Sequence, residues 1–133
     1  MSPPIPSRMQ LDTVGGIAKA TFDLSEHGGA VGSIPIELEL PAGAIIHRGF
    51  VDVVTAPTSG GSATIALNFI GSGTQAILSA TAIASVTGVL ALTANTTPVK
   101  VVSTTGKAKL NVTVATAALT AGKFNVYLQY FGV

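Results

Sequence analysis

The sequence contains no cysteine. Disulfides, zinc-thiolate centres and a cysteine nucleophile are therefore excluded, and stability has to come from packing and assembly. Charge is also scarce: Asp, Glu, Lys and Arg make up 10% of the 133 residues, against about a quarter in an average soluble domain. A monomer with so little charge is poorly solvated. The formal net charge is +1 and no basic cluster occurs, which argues against nucleic-acid binding through counterion release. Histidine is limited to His27 and His47. Neither lies in a nucleophile motif, so no acid–base constellation can be assembled and no enzymatic activity is expected. An apolar signal-peptide core is missing too, because prolines occupy the first ten residues; synthesis and folding in a cytosol are expected.

What is abundant is apolar and small. Hydrophobic residues reach 47% with only 5% aromatic, and the β-branched members of that set suit pleated, half-buried surfaces. The length fits one domain with one continuous core. All six acids precede Val53, whereas Lys100, Lys107, Lys109 and Lys123 follow it. The halves thus have opposite sign, which suits two solvated faces or subunits that attract acid side to base side.

Residues 76–92 (AILSATAIASVTGVLAL) are uncharged and approach the roughly 17 to 25 residues of a spanning helix. The interspersed Ser79, Thr81, Ser85, Thr87 and Gly88, without basic or aromatic anchors nearby, argue against a membrane span.

Residues 1–15 contain Pro3, Pro4 and Pro6 and read as an extended arm outside the core, with residues 16–133 forming the β domain. Ile5, Met9 and Leu11 are the arm's larger apolar anchors. From Ile17 the pattern has a period of two: Ala18, Ala20, Phe22 and Leu24, then a turn over residues 25–29. The clearest run sets Ile34, Ile36, Leu38 and Leu40 opposite Glu37 and Glu39, and Pro41 ends it. Residues 45–55 have apolar residues at both parities, which predicts a strand covered on both faces, with a bulge near Gly49. Residues 57–62 read as a flexible connection and 64–70 as a strand closed by Gly71-Ser72-Gly73. Residues 75–94 suit an irregular crossover with a strand near 89–93. Further strands are predicted at Val99 and Val101, at Leu110–Val112–Val114, and at Phe124–Val126–Leu128–Tyr130, with turns at 103–106 and 119–122. About eight strands punctuated by Gly and Pro predict an all-β, antiparallel sandwich or jelly roll with an extended N-terminal arm.

Few residues invite a chemical role. His27 reads as an exposed turn residue, and His47 as a strand or interface residue. Glu37 and Glu39 share a face, yet a hard-cation site requires several more oxygen ligands; no metal or cofactor is expected. Ser59-Gly60-Gly61-Ser62 has no following lysine or helix, so it cannot cradle phosphate. Asn95-Thr96-Thr97 and Asn111-Val112-Thr113 match glycosylation triplets that mean little without a secretory signal. Tyr127 and Gln129 lie with Asn125 on one face of the last strand, a combination that suits packing against another subunit or stacking on a sugar.

Residues 40–73 (LPAGAIIHRGFVDVVTAPTSGGSATIALNFIGSG) together with 119–131 (LTAGKFNVYLQYF) resemble small structural proteins encoded among the head genes of tailed bacteriophages, which act as capsid decoration, or cement, proteins. The likeness runs from about Ile17 onward and omits the Pro-rich leader. It implies a β-sandwich homotrimer bound to the major capsid protein on the outer surface of a virion, made in the host bacterial cytoplasm, with no membrane or nucleic-acid partner. Ile5, Met9, Leu11, His47, Arg48, Tyr127 and Gln129 are the expected capsid or subunit contacts. A receptor-binding or fibre-head module, with Asn125, Tyr127 and the 57–62 loop touching a glycan, is the alternative that fold alone does not separate.

Overall fold

The computed structural model describes residues 15–131. The first nine residues of that span form β1 (Gly15–Asp23), followed by a single helical turn, α1 (Leu24–His27). Then come β2 (Gly32–Pro41), β3 (Ile45–Ser59), β4 (Thr64–Ile70), β5 (Thr74–Ala82) and β6 (Val89–Ala91). The chain ends with β7 (Val99–Lys100), β8 (Lys107–Ala115) and β9 (Leu119–Phe131). The anticipated arm, residues 1–14 of it, and its anchors Ile5, Met9 and Leu11 lie outside the described residues.

Two antiparallel sheets result. One has the order β1-β9-β3-β6, with β7 also paired to β3; the other has the order β2-β8-β4-β5. Successive strands cross from sheet to sheet, except that β4 and β5 form a hairpin within one sheet and the short β6 and β7 both pair with β3 in the other. This is a jelly roll. Its core interleaves Phe22, Val51, Phe124 and Val126 from the first sheet with Ile36, Leu67, Phe69, Leu110 and Val112 from the second. Phe22 and Phe124 stack with ring centroids 5.0 Å apart.

Several sequence expectations change in contact with this topology. Residues 57–59 belong to β3, not to a loop, because Thr58 pairs with Ala121 and Ser59 with Leu119. For the same reason residues 119–122 are strand and not turn; the reversal falls at residues 116–118, where Thr116 takes a positive φ of 76°. Residues 74–82 form a full strand on β4. Register shifts opposite Leu67 place the consecutive Ile77 and Leu78 both in the core, which removes the alternation that marks a strand in sequence. The strand expected near 89–93 is the three-residue β6. No helix among the described residues is long and apolar enough to cross a membrane.

The bulge expected near Gly49 occurs beside it, between Ile46 and Arg48. Gly49 itself is the point of close approach: an added Cβ would collide with the Tyr127 carbonyl and lie 2.7 Å from Leu92 Cδ1. Asn95 brackets this glycine, accepting from its N–H at 2.7 Å and donating to its carbonyl at 3.0 Å.

Opposite charge in the two halves is spent inside the subunit. Acidic and basic residues meet across the strands: Asp23 of β1 sits opposite Lys123 of β9, and Glu39 of β2 opposite Lys109 of β8. Lys107 approaches Glu39 at 3.6 Å, and Lys123 approaches Asp23 at 4.0 Å. His27 is not an exposed turn side chain. It is 8% exposed, it stacks on Phe22, and its Nε2 lies 3.1 Å from Glu37, so it ties α1 to β2. Hydrogen bonds from the Ser25 hydroxyl and amide hold Asp23 below its ordinary pKa. Glu37 is held low first by its own backbone amide and then by His27.

Two outcomes follow from these contacts. Gly49→Ala is expected to cost about 1–3 kcal/mol, the range for overpacking a filled site, in urea midpoints, while Gly60→Ala, where nothing lies within 4 Å, leaves the midpoint unchanged or slightly raised. Carboxyls with depressed folded pKa values stabilise the fold above their ordinary range and lose that contribution as pH falls through the folded values. The melting temperature of the parent protein should therefore exceed that of Glu37→Gln at about pH 6 and converge on it towards about pH 3; a gap that widens in acid contradicts this assignment.

Candidate functional site

Residues paired directly across antiparallel strands project from the same face, so the register of the β1-β9-β3-β6 sheet defines its outer surface row by row. Gly15, Phe131 and Ile45 form the first row. Ile17, Gln129 and Arg48 form the second, and Lys19, Tyr127, Phe50 and Ala91 the third. Thr21, Asn125, Asp52 and Val89 make the fourth. The bulge sets this pattern. One extra residue at His47 reverses the parity of β3, so Ile45 before it and Phe50 after it both face outward, while Ile46 and Val51 are buried. The expectation that β3 is covered on both faces fails here: within the subunit its outer face is open, with Phe50 42% exposed.

Four of the sequence-selected contact residues, His47, Arg48, Tyr127 and Gln129, come together on this surface. Arg48 and Gln129 are registered neighbours. Tyr127 stacks on Phe50 at 4.9 Å, and Lys19 Nζ lies 5.6 Å from its ring centroid. His47 stacks on Phe131 at 4.6 Å, and its Nδ1 is shielded from solvent with no hydrogen-bond partner among the described residues. Sequence reasoning missed Ile17, Phe50, Val89 and Phe131, which are exposed apolar residues of the same face or its rim. Contiguous exposed apolar surface of this kind marks an interaction site. The signal for it was the glycine-flanked bulge, whose position decides which apolar residues of β3 point outward.

A shallow groove of about 180 Å³ crosses this face, lined by Ile17, Arg48, Phe50, Tyr127 and Gln129 with Gly49 and Leu128. Gly49 contributes backbone to its floor, while the Cβ it lacks would point inward at Leu92. Next to it, Thr21 donates to Asn125 Oδ1 at 2.7 Å. The three elements of the glycan alternative do not converge: Tyr127 is six residues from Ala121, the partner of Thr58, a separation of about 20 Å along a strand. Pro57 is buried beside Gly122.

The outer face of the other sheet has a different character. Ser33, Thr113, Asn111, Asn68, Glu39 and Lys109 occupy it, and a hollow of about 370 Å³ there is bounded by Glu37, Leu38, Glu39 and Lys109. Glu26, His27 and Glu37 offer ligand atoms within 4.8 Å of one another. His27 Nε2 already engages the Glu37 carboxylate at 3.1 and 3.2 Å, and Nδ1 lies 3.1 Å from the Asp23 amide nitrogen. These contacts give His27 and Glu37 a mechanical role as the anchor of α1.

No protein-family model and no curated relative matches the sequence. The fold matches solved chains in three bacteriophage capsids. One comes from the acidic stable capsid structure of Helicobacter pylori bacteriophage KHP30, at a TM-score of 0.61 and 18% identity, covering 89% of this chain and 87% of that one. A second, from the capsid asymmetric unit of cyanophage Pam1, gives a TM-score of 0.58 and 21% identity over 90% of this chain and 87% of the other. The third, from the capsid of Ralstonia phage GP4, gives 0.55 and 20% over 92% and 88%. The jelly roll built by this sequence is thus the fold of chains found in phage capsids.

Proposed function

We propose that this chain is a structural protein of a bacteriophage virion, that it binds the outside of the capsid as a decoration, or cement, protein, and that it does so as a homotrimer contacting the major capsid protein. The observation that carries this reading is the shared fold with chains of three phage capsids across about nine-tenths of the chain. The surface supports it. A chain with 10% charged residues exposes one apolar, aromatic sheet face and one polar one, as expected of a protein that is partly covered in an assembly.

The mechanism is mechanical and uses no catalysis. The two sheets clamp one continuous core, and the bulged β3 presents His47, Arg48 and Phe50 together with Tyr127 and Gln129 of β9 on a rigid plane. A contact of about 800 Å² per partner is the usual size of a stable interface. A trimer that touches several shell subunits at once multiplies individually weak contacts, so that separating any one of them does not release the protein. Ile5, Met9 and Leu11 of the leader supply further contacts in this reading. The fibre-head alternative gains no support, since its glycan-contact residues are spread along β3 and β9.

Quantitative mass spectrometry of purified particles tests the role. Copies approaching the number of major capsid subunits are expected; a few copies per particle would indicate a fibre or tail component. Phe50→Asp, at a partly exposed position stacked on Tyr127, is expected to cost about 1–2 kcal/mol through the lost stack and strand propensity, leaving a folded protein whose circular dichroism spectrum matches the parent's. Because a buried unpaired charge is costly at an interface, this variant should lose self-association in sedimentation experiments, retention on stripped shells, or both. Parent-like behaviour in both assays would remove this face from the contact surface.

A further inference from the structure

We infer that the groove between Ile17, Arg48, Phe50, Tyr127 and Gln129 is the seat for the proline-rich leader, residues 1–14, of a second copy of this chain. The inference rests on the assembly part of the proposed function, and not on attachment to a capsid.

The groove has the chemistry that a polyproline segment requires. Such segments are held by aromatic-lined grooves because their extended form is preset and loses little entropy on docking. Here the stacked pair Phe50 and Tyr127, 4.9 Å apart, forms the aromatic lining, Ile17 adds an apolar side, and the Gly49 backbone forms part of the floor. Prolines have no N–H, so a docked proline segment presents carbonyl oxygens that need donors. The lining residues Arg48, Gln129 and Tyr127 carry guanidinium, amide and hydroxyl donors. The leader matches: Pro3 and Pro6 have the spacing of a PxxP segment, Pro4 lies between them, and residues 2–7 carry no charge.

Chain geometry selects another copy in preference to the same one. β1 remains extended to Gly15, which pairs with Phe131 in the first row. The groove lies in the second and third rows, further along β1, so a leader that continued the strand direction beyond Gly15 would run away from its own groove and towards a neighbour. Fourteen residues in a polyproline conformation span about 43 Å at about 3.1 Å each. A folded body of this size has a radius of gyration of about 13 Å, so the leader can reach across a neighbour.

The absence of native cysteine permits a direct test on the full-length protein. Chains carrying only Pro6→Cys are mixed with chains carrying only Gln129→Cys and oxidised mildly. Docking brings the thiols to an effective concentration in the millimolar range, so the mixed disulfide should form at least about tenfold faster than with Thr74→Cys, on the opposite sheet, as partner. Tyr127→Ala in the Gln129→Cys chain should reduce that rate to the Thr74→Cys level with an unchanged circular dichroism spectrum. Equal rates for the two partners overturn the inference, as does a Tyr127→Ala chain that cross-links as fast as its parent. A disulfide that forms within single chains carrying both Pro6→Cys and Gln129→Cys, and not between singly substituted chains, assigns the groove to the chain's own leader and also overturns it. Because these readouts use purified protein, they are independent of the copy number in virions, where the capsid reading stands or falls.

Discussion

β9 lies between β1 and β3, and every surface described above depends on that placement. Its ladder with β1 joins residues 100 to 116 positions apart, as Gly15 with Phe131, and its ladder with β3 joins residues 60 to 86 positions apart. Closure of such loops has to be completed before the contacts stabilise anything, and topologies of this kind fold slowly. Once β9 is seated, its pairs with β1 and β3 set which side chains of three strands share a row. Phe22 and Phe124 then meet inside, and Tyr127 and Phe50 meet outside.

The strand alternations were largely legible in the sequence, because a period of two with charged residues on one side has one physical solution. Ile36 and Leu40 against Glu37 and Glu39, and Leu110 to Val114 against Lys109 and Asn111, are core and surface as read. Misreadings cluster where tertiary pairing overrides local signals. Pro57 looks like a loop residue until Gly122 packs beside it, and residues 119–122 look like a turn until Thr58 and Ser59 pair with them. Ile77 and Leu78 are adjacent in sequence and both buried, a pattern that only register shifts can produce.

Four residues of the candidate surface, His47, Arg48, Tyr127 and Gln129, were singled out in the sequence, whereas Ile17, Phe50, Val89 and Phe131 and the geometry of the face were not. Tyr127 and Gln129 follow from alternation along one strand, but their meeting with Arg48 and Phe50 requires the parity change at His47, and a bulge position is only hinted at by a neighbouring glycine. Charge gives the complementary case. The segregation of acids and bases in sequence was compatible with attraction between subunits. The register pairs acids with bases across strands within one subunit, at Asp23–Lys123 and Glu39–Lys109, while Lys19, Arg48 and Asp52 stand among the apolar residues of the first sheet's outer face.

The strand that continues into the leader is also the edge of its sheet, joined to β9 by nine registered pairs from Gly15 to Asp23. A tension applied through the leader along the strand axis loads those pairs in shear, all together, and β9 transfers the load to β3 on its other side. Peeling one pair at a time would require a pull perpendicular to the strand. A pull on the chain at Gly15 along the strand axis is thus resisted by the whole ladder at once and not by its first pair alone.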